Sequence, residues 1–311
     1  MIDAASKAFF HFLAGNETLR RLASRYGMAR QASFARRFIA GETVEEAIDA
    51  ARAIEARGLS QTLDYLGESV ATVAGAEAAT ADYGRILERI ARAGIGRNIS
   101  LKLTQLGLEI SPDVALANLR RIVGPARRDG FFVRIDMENS PFTDPTLAIF
   151  ESLWSEGFTN LGVVLQSALF RTSRDLPRIV SLGARVRLVK GAYKESAELA
   201  YQRKPDVDAA YVMQMQYLLA HATFPALATH DAAIIEAAKA FAARERIAKD
   251  RFEFQMLYGV RRDLQAALVR EGYGVRVYVP FGRQWFAYFM RRLGERPANV
   301  AFVLRSLVSE K

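Results

Sequence analysis

The stretch ARVRLVKGAYKE, residues 184–195, contains charged residues in an unexpected setting. Apolar and charged residues alternate in its first half, as in a β-strand, and Gly191 ends that strand. Arg187 lies inside the strand, where an unpaired guanidinium is costly and needs an anionic partner. Two alternatives are open: Arg187 pairs with a neighbouring carboxylate or reaches the rim, or it serves a ligand at the strand end.

Polar side chains also follow the other apolar runs that we interpret as strands. In α/β enzymes the carboxyl ends of parallel strands face the ligand crevice, so these side chains are candidates for one common site. Taken singly, each of them is more often structural. The candidates in chain order are Asp64, Glu68, Lys102, Asp136, Gln166, Lys190, Thr229, His230, Asp231, Gln255 and Tyr278.

The last predicted helix carries a second set of charges. A charged face on an isolated helix is most often only solvated. Two adjacent arginines beside a tyrosine, directly after the last strand, instead favour a clamp for a carboxylate or phosphate, because the forked guanidinium matches these groups. The residues that share this face, at i, i+3, i+4 and i+7, are Tyr288, Arg291, Arg292 and Glu295.

The composition restricts the class of protein. Half of the 311 residues are hydrophobic and 25% are charged, which is ordinary for a globular enzyme. The absence of cysteine excludes disulfides, thiolate metal sites and a cysteine nucleophile. The histidines have no metal-type spacing, so we expect no metal.

The net charge of +9 suits an anionic ligand or an anionic membrane surface. We expect no nucleic-acid binding, because no basic tract with interleaved aromatic residues occurs. No apolar run approaches the roughly 20 residues of a membrane-spanning helix, and no signal peptide opens the chain. We therefore expect a cytoplasmic location, and leave open a peripheral contact at the inner membrane surface.

Short apolar runs alternate with amphipathic helices from about Gly58 onward. This alternation predicts a (β/α)8 TIM-type barrel of class α/β. The main competitor is a doubly wound open sheet, but its GxGxxG signature is absent. The predicted strands are 59–66, 99–106, 132–137, 162–166, 186–190, 226–229, 253–257 and 275–279, and the predicted helices include 76–93, 113–128, 146–156, 194–199, 205–220, 232–243 and 261–271.

The N-terminal residues 1–56 are predicted to be helical throughout, and Thr43 with Glu46 is a candidate capping box. We interpret residues 1–57 as an N-terminal helical arm and residues 58–311 as the catalytic barrel. The final helix is expected to pack over the active site at the end of that barrel.

An ordered set of motifs resembles the proline dehydrogenase family, in particular its short, single-function bacterial members. The resemblance covers most of the chain from Gly58 to Leu307, and it is specific because the motifs occur in order. The family fold is a flavin-binding (β/α)8 barrel, in agreement with the strand pattern. The motifs are LKLTQLG, VRIDMEN, RLVKGAY, ATHD, FEFQMLYG and YFMRRLGERP.

The resemblance implies oxidation of L-proline to Δ1-pyrroline-5-carboxylate, with FAD as the hydride acceptor and a membrane quinone as the final electron acceptor. By similarity, Lys102, Arg291 and Arg292 bind the substrate carboxylate. Glu68 is the acidic partner that closes over the first arginine, and Glu295 braces the pair. Tyr278, Leu257 and Tyr288 enclose the substrate ring. The residues implied to line the flavin are Asp136, Met137, Gln166, Arg187, Val189, Lys190, Gly191, Ala192, Thr229, His230 and Gln255.

The implied reaction removes hydride from the carbon beside the nitrogen, which requires a neutral amine. Cations around the substrate carboxylate lower the pKa of that amine. The proton acceptor is either Asp136 or water. Arg187 is expected to lie near the N1–C2 edge of the flavin or near its N5, and to tune the electron affinity of the ring. Relatives often have Asn at the position of Asp231, so the resemblance supports a flavin contact there less than at the residues named above.

Two rival interpretations remain open. A Schiff-base aldolase of the same fold would use Lys190 or Lys102 as its nucleophile and the arginines to hold a phosphate. A non-enzymatic protein that binds anionic surfaces would need only the net charge of +9.

Overall fold

A computed structural model describes the backbone of residues 34–294 and the side chains of residues 35–290. Within this range, eight parallel strands follow one another around a closed barrel in chain order, with helices between them. The predicted (β/α)8 barrel is therefore confirmed. The strands are β1 (Ser60–Tyr65), β2 (Asn98–Leu101), β3 (Phe132–Ile135), β4 (Leu161–Gln166), β5 (Arg185–Val189), β6 (Ala226–Ala228), β7 (Glu253–Leu257) and β8 (Gly274–Phe281).

The helices form the outer layer of this barrel. The helix-to-strand contact buries apolar residues from both layers, since alternate residues of a strand face the helices and the barrel interior. The helices are α1 (Val44–Glu55), α2 (Val73–Ala93), α3 (Pro112–Arg128), α4 (Thr143–Ser155), α5 (Thr172–Ser181), α6 (Lys204–His221), α7 (Ala232–Arg244), α8 (Arg262–Arg270) and α9 (Trp285–Gly294).

Strand β5 shows how the alternation places a charge inside. Val186 and Leu188 are fully buried in the apolar core, whereas Arg187 bonds to side chains that come from other sides of the barrel. Arg187 therefore points into the barrel interior, as the alternating sequence of β5 requires.

The predicted strand over residues 99–106 is wrong in its second half. β2 ends at Leu101, and Thr104–Leu106 form a 3₁₀ turn. Gly107 closes this turn in the left-handed region, with φ +99°, and its N–H donates to the Thr104 carbonyl. A strand cannot continue through that conformation.

The predicted helix over residues 194–199 is also wrong, because these residues lie in the loop between β5 and α6. Ala200 pairs with Leu169 in an isolated antiparallel bridge, and α6 begins only at Lys204. Pro205 occupies its first turn, where the missing N–H of proline has no cost. Helix α5 lies between β4 and β5, as the alternation of strands and helices predicts, although Pro177 lies inside it.

The N-terminal prediction is partly confirmed. Thr43 and Glu46 form the predicted capping box at the start of α1. Residues 38–43 are not helical, because Ala40 donates to the Pro280 carbonyl and the Gly282 N–H donates to the Gly41 carbonyl. The prediction for residues 1–33 lies outside the described residues.

Residues 35–42 hold the last helix on the barrel. Phe38 and Ile39 pack with Leu66, Trp285 and other residues of α9 in a separate apolar cluster. The indole N–H of Trp285 donates to Glu42 at 2.9 Å. The chain therefore folds its N-terminal segment against the helix that follows β8, and the division of the chain at residues 57 and 58 stays a prediction.

Gly259 generates a test of this arrangement. Its φ is +73°, and a Cβ atom there would lie 1.7 Å from the carbonyl oxygen of Arg37. Gly259→Ala should lower the free energy of unfolding by more than about 2 kcal/mol, because strain and a backbone clash add. Urea unfolding measures this loss.

Gly84 provides the matched control for this substitution. It lies inside α2, and a Cβ there would meet no atom within 4 Å. Gly84→Ala should stabilise the protein by about 1 kcal/mol, the usual helix preference for alanine. If Gly259→Ala unfolds at the same urea concentration as the original protein, the close approach of Gly259 to the Arg37 carbonyl does not contribute to stability.

Candidate active site

Arg187 lies at the centre of the polar side chains at the carboxyl ends of the strands. Its Nη1 donates to Asp136 Oδ1 at 2.7 Å, its Nε to Gln255 Oε1 at 2.5 Å, and its Nη2 to Ser100 Oγ at 3.1 Å. The guanidinium carbon is 5.3 Å from the ring centroid of Tyr278. Of the alternatives that the sequence leaves open for Arg187, pairing with a neighbouring carboxylate is present, and Asp136 is that carboxylate.

Asp136 joins Arg187 to Tyr278. The Tyr278 hydroxyl donates to Asp136 Oδ2 at 2.7 Å, so both carboxylate oxygens accept a hydrogen bond. Burial raises the pKa of Tyr278 well above its usual value, and the negative charges of Asp136 and Asp64 raise it further. Tyr278 therefore stays a neutral hydrogen-bond donor.

Lys102, at the end of β2, lies between two carboxylates. Its Nζ is 3.7 Å from Asp64 Oδ1 and 3.9 Å from Asp136 Oδ2. Burial disfavours the charged amine, but the two carboxylates outweigh burial and raise the pKa of Lys102. Lys102 is thus a firmly held ammonium ion, which is unfavourable for a Schiff-base nucleophile, because that chemistry needs the neutral amine.

Asp64 is the second buried acid at this end of the barrel. It is 1% exposed, and neither carboxylate oxygen has a hydrogen-bond partner among the residues described. Burial raises the pKa of Asp64, while the charge of Lys102 opposes that shift. We named Asp64 as a candidate from the sequence, but assigned it no role.

Gly191 brings the loop after β5 close to the end of β4. Its φ is +110°, and a Cβ atom there would lie 3.2 Å from Gln166 Oε1 and 3.3 Å from the Ala168 Cβ. Gln166 is held in turn, since its Nε2 donates to the Glu138 carbonyl at 2.8 Å. Only glycine fits this conformation without strain, and its lack of a Cβ allows the backbone to approach Gln166 closely.

The end of β6 is tied to β7 through His230. The His230 Nε2 accepts the Leu257 N–H at 2.8 Å, so Nδ1 is the nitrogen left to carry the proton. Thr229 is buried, and its hydroxyl accepts the N–H of Asp231 at 3.1 Å. These contacts place His230, Thr229 and Leu257 at one edge of the predicted site.

Lys190 and Lys204 form a charge cluster with two aspartates. Lys190 Nζ lies 2.5 Å from Asp208 Oδ1 and 3.0 Å from Asp231 Oδ2, and Lys204 contacts both carboxylates. Burial raises the pKa of Asp231, but the hydrogen bonds and charges of the two lysines outweigh it and lower that pKa to about 2. We did not predict the contribution of Asp208, which comes from α6.

The predicted carboxylate clamp is described only in part. Arg291 and Arg292 lie in the last turns of α9, and their side chains are outside the described residues, as is the whole of Glu295. Tyr288 is buried in the cluster with Leu66. Glu68 is half-buried in the loop after β1. The clamp itself stays a prediction.

Two buried acids in this region have no place in the predicted set. Glu138 accepts hydrogen bonds from the Thr104 N–H at 3.1 Å and from its hydroxyl at 2.6 Å, and burial raises its pKa. Glu253 lies one level below Gln255 on β7. The available signal was an acid within or directly after an apolar run, the same signal that identified Asp136.

Comparison with known proteins gives a consistent result. A family model described as proline dehydrogenase matches residues 47–305. Proline dehydrogenase of Deinococcus radiodurans is 43% identical over 287 residues, which cover 90% of this chain and 93% of the relative. Proline dehydrogenase 1 of Bacillus subtilis subsp. natto is 41% identical over 301 residues, covering 97% and 98%.

A solved structure with a similar fold is proline utilization A from Bdellovibrio bacteriovorus, inactivated by N-propargylglycine. The TM-score is 0.82 at 26% identity. The match covers 100% of this chain and 40% of that chain, so this chain corresponds to part of the larger protein.

Asp231 allows a test of the charge cluster. Because its pKa is lowered to about 2, the ionised carboxylate contributes stability above its unfolded pKa, and this is lost as the pH falls toward 2. Asp231→Asn keeps the acceptor for the Ala233 N–H, which Asp231 Oδ1 accepts at 3.1 Å. The substitution should lower the free energy of unfolding by about 1 kcal/mol at neutral pH. The loss is small because the charge cluster is partly exposed and solvent screens it.

Urea unfolding from about pH 3 to about pH 7 measures this difference, which should narrow at the acid end. Asp250→Asn, at an exposed position, is the control and should stay within about 0.5 kcal/mol of the original protein. A difference between Asp231→Asn and the original protein that grows as the pH falls would contradict the assignment.

Proposed function

Because this chain belongs to the proline dehydrogenase family, we propose that it oxidises L-proline to Δ1-pyrroline-5-carboxylate with bound FAD as the hydride acceptor. The observation that carries the proposal is the buried Arg187, held by Asp136 beside Lys102 and Tyr278 at the carboxyl end of the barrel. The comparisons lend no support to the Schiff-base aldolase, and the charged state of Lys102 argues against it.

The side chains at the strand ends fit a flavin. Gly191 brings the backbone after β5 against Gln166, where a Cβ would be crowded, and the paired cations Arg187 and Lys190 lie on the same segment. When bound, FAD accepts the hydride from the proline ring. The residues that would hold it are Asp136, Met137, Gln166, Arg187, Val189, Lys190, Gly191, Ala192, Thr229, His230 and Gln255.

In this proposal, Lys102 binds the proline carboxylate together with Arg291 and Arg292. The carboxylates of Asp64 and Asp136 keep Lys102 charged, so it is ready to pair with an anion. Its positive charge also disfavours a protonated amine close by, which favours the neutral amine that the reaction needs. The proton passes to Asp136 or to water.

The remaining substrate residues shape the site. Leu257, at the end of β7, and Tyr278, its register partner in β8, would enclose the ring together with Tyr288 of α9. Glu68 would close over Arg291, and Glu295 would brace the arginine pair. Arg187 would favour the accumulation of negative charge on the flavin ring, because a fixed cation stabilises it electrostatically.

We further propose that a membrane quinone accepts the electrons, with the protein in the cytoplasm and in peripheral contact with the inner membrane. The excess of positive charge, +9 for the chain, suits an anionic lipid surface. Between residues 34 and 294, no helix combines the length and the apolar character needed to cross a bilayer. Residues 1–57 and 58–311 are proposed as arm and catalytic barrel.

The visible absorption spectrum of the purified protein, recorded before and after anaerobic L-proline, tests the function. We expect an oxidised flavin spectrum that bleaches when proline is added. A flavin that stays oxidised with proline would contradict the substrate. A colourless protein that FAD does not reconstitute would contradict the cofactor and the reaction together.

The carboxylate clamp is tested by Arg291→Met and by Arg292→Met. Each variant should raise KM for L-proline by more than about tenfold, because one charge-assisted hydrogen bond contributes about 1.5–3 kcal/mol. The flavin spectrum should be retained. Arg270→Met, at an exposed position of α8, is the matched control and should leave KM unchanged. An unchanged KM in either of the first two variants would exclude that arginine from the clamp.

A further inference from the structure

A chain of buried polar side chains leads from Arg187 down through the barrel interior. Gln255 accepts from Arg187 Nε at 2.5 Å, and its own Nε2 donates to Glu253 Oε1 at 2.5 Å. Arg276 Nε donates to the same Glu253 oxygen at 2.8 Å. We infer that Glu253 is a positioning residue, which orients the Gln255 amide and through it the guanidinium of Arg187.

The chemistry of the end groups fixes the direction of this chain. An ionised carboxylate only accepts hydrogen bonds, and a guanidinium only donates them. Gln255 lies between Glu253 and Arg187, so its NH₂ must face the acid and its oxygen must face the arginine. The reversed amide would set donor against donor and acceptor against acceptor, in a place where unpaired polar groups are costly.

Glu253 is well suited to set that direction. Burial disfavours its charged form, but Arg276 outweighs burial and the pKa of Glu253 is lowered, so the carboxylate stays ionised. Arg276 is anchored independently, since its Nη1 donates to the Gln61 carbonyl at 2.7 Å. The acid is thus held by three adjacent strands, β7, β8 and β1.

The register of β7 places this acid directly below the proposed site. Residues two apart in a strand face the same side, so Glu253, Gln255 and Leu257 form three successive levels. Glu253 occupies the ion-pair level, Gln255 the level of Arg187, and Leu257 the level proposed to contact the substrate ring. Because Arg276 holds Glu253 in place, the hydrogen bond from Gln255 to Glu253 fixes the orientation of the Gln255 amide at the level of Arg187.

Arg187 depends on this contact because its three anchors have different directions. Asp136 holds Nη1, Ser100 holds Nη2, and Gln255 holds Nε. Without an oriented Gln255, the guanidinium can turn about its remaining contacts. The effect on flavin binding rests on the proposed function. The effect on the orientation of the Arg187 side chain is independent of that function.

The double variant Glu253→Met/Arg276→Met removes the acceptor together with its ion-pair partner Arg276. Replacing both members of a buried ion pair with apolar residues is often neutral for stability. Its crystal structure should show the contact between Arg187 Nε and Gln255 Oε1 broken. The dissociation constant for FAD should rise by about tenfold, the scale of one hydrogen bond to a charged group, and the flavin midpoint potential should shift.

Glu253→Gln is the conservative comparison, because it keeps an acceptor oxygen for Gln255 while it removes the charge, at a cost in stability from the uncompensated Arg276. It should retain the Arg187–Gln255 contact and bind FAD more tightly than the double variant does. Equal changes in Glu253→Gln and in the double variant would show that charge alone acts, and would overturn the positioning role. An intact Arg187–Gln255 contact in the double variant would overturn it as well.

Glu253→Asp serves if the double variant does not fold. It keeps the charge for Arg276 and withdraws the acceptor from Gln255 by one methylene. FAD binding should weaken by less than in the double variant, and an unchanged Arg187–Gln255 contact in its crystal structure would overturn the inference. If the original protein binds no FAD, the proposed function fails, and the crystal structures still decide the role of Glu253.

Discussion

A guanidinium buried inside a closed barrel is costly unless a counter-charge and hydrogen-bond acceptors compensate it. Arg187 is such a group at the centre of this protein. It is 4% exposed, and residues from β2, the end of β3 and β7 meet it. The pair with Asp136 then determines its surroundings, because Asp136 also accepts from Tyr278 and lies near Lys102. Five strands, β2, β3, β5, β7 and β8, are thus connected through one ion pair.

The interior of the barrel is a set of charges that depend on one another. Lys102 lies near Asp64, and Arg276 pairs with Glu253. Arg134 has only the carbonyls of Arg185 and Val163 as hydrogen-bond acceptors in the described structure, and burial lowers its pKa well below the usual value. Removing one member of such a buried pair costs more than the pair contributes, since an uncompensated charge remains. The arrangement therefore gives a single, rigid geometry at the strand ends.

The covering of these strand ends comes from distant parts of the chain. Backbone bonds join residues 40 and 41 to residues 280 and 282, and Trp285 donates to Glu42. The helix that carries Arg291 and Arg292 begins at Trp285, so its position depends on residues before the first strand. The proposed clamp for the proline carboxylate would therefore be held in place by the chain segments that precede β1 and follow β8.

The sequence by itself determined the order of strands and helices and most of the elements. Strand and helix periodicity is local, so β7 was predicted with its observed bounds, and the barrel, α9 and the capping box at Thr43 followed in the same way. The residues at the strand ends were also identifiable, because the carboxyl ends of parallel strands meet at one edge. The family resemblance rested on those residues, and the comparisons confirmed it.

Only the tertiary structure decided which side chains meet. Lys190 pairs with Asp208 of α6, and residues 194–199 form a loop because Ala200 bridges to Leu169, a contact between distant segments. Glu253 has the appearance of an ordinary polar residue at the start of a strand until Arg276 and Gln255 are placed beside it. Partner choice depends on how the closed barrel brings strands together in space, and a local pattern of residue types contains no information on those distances.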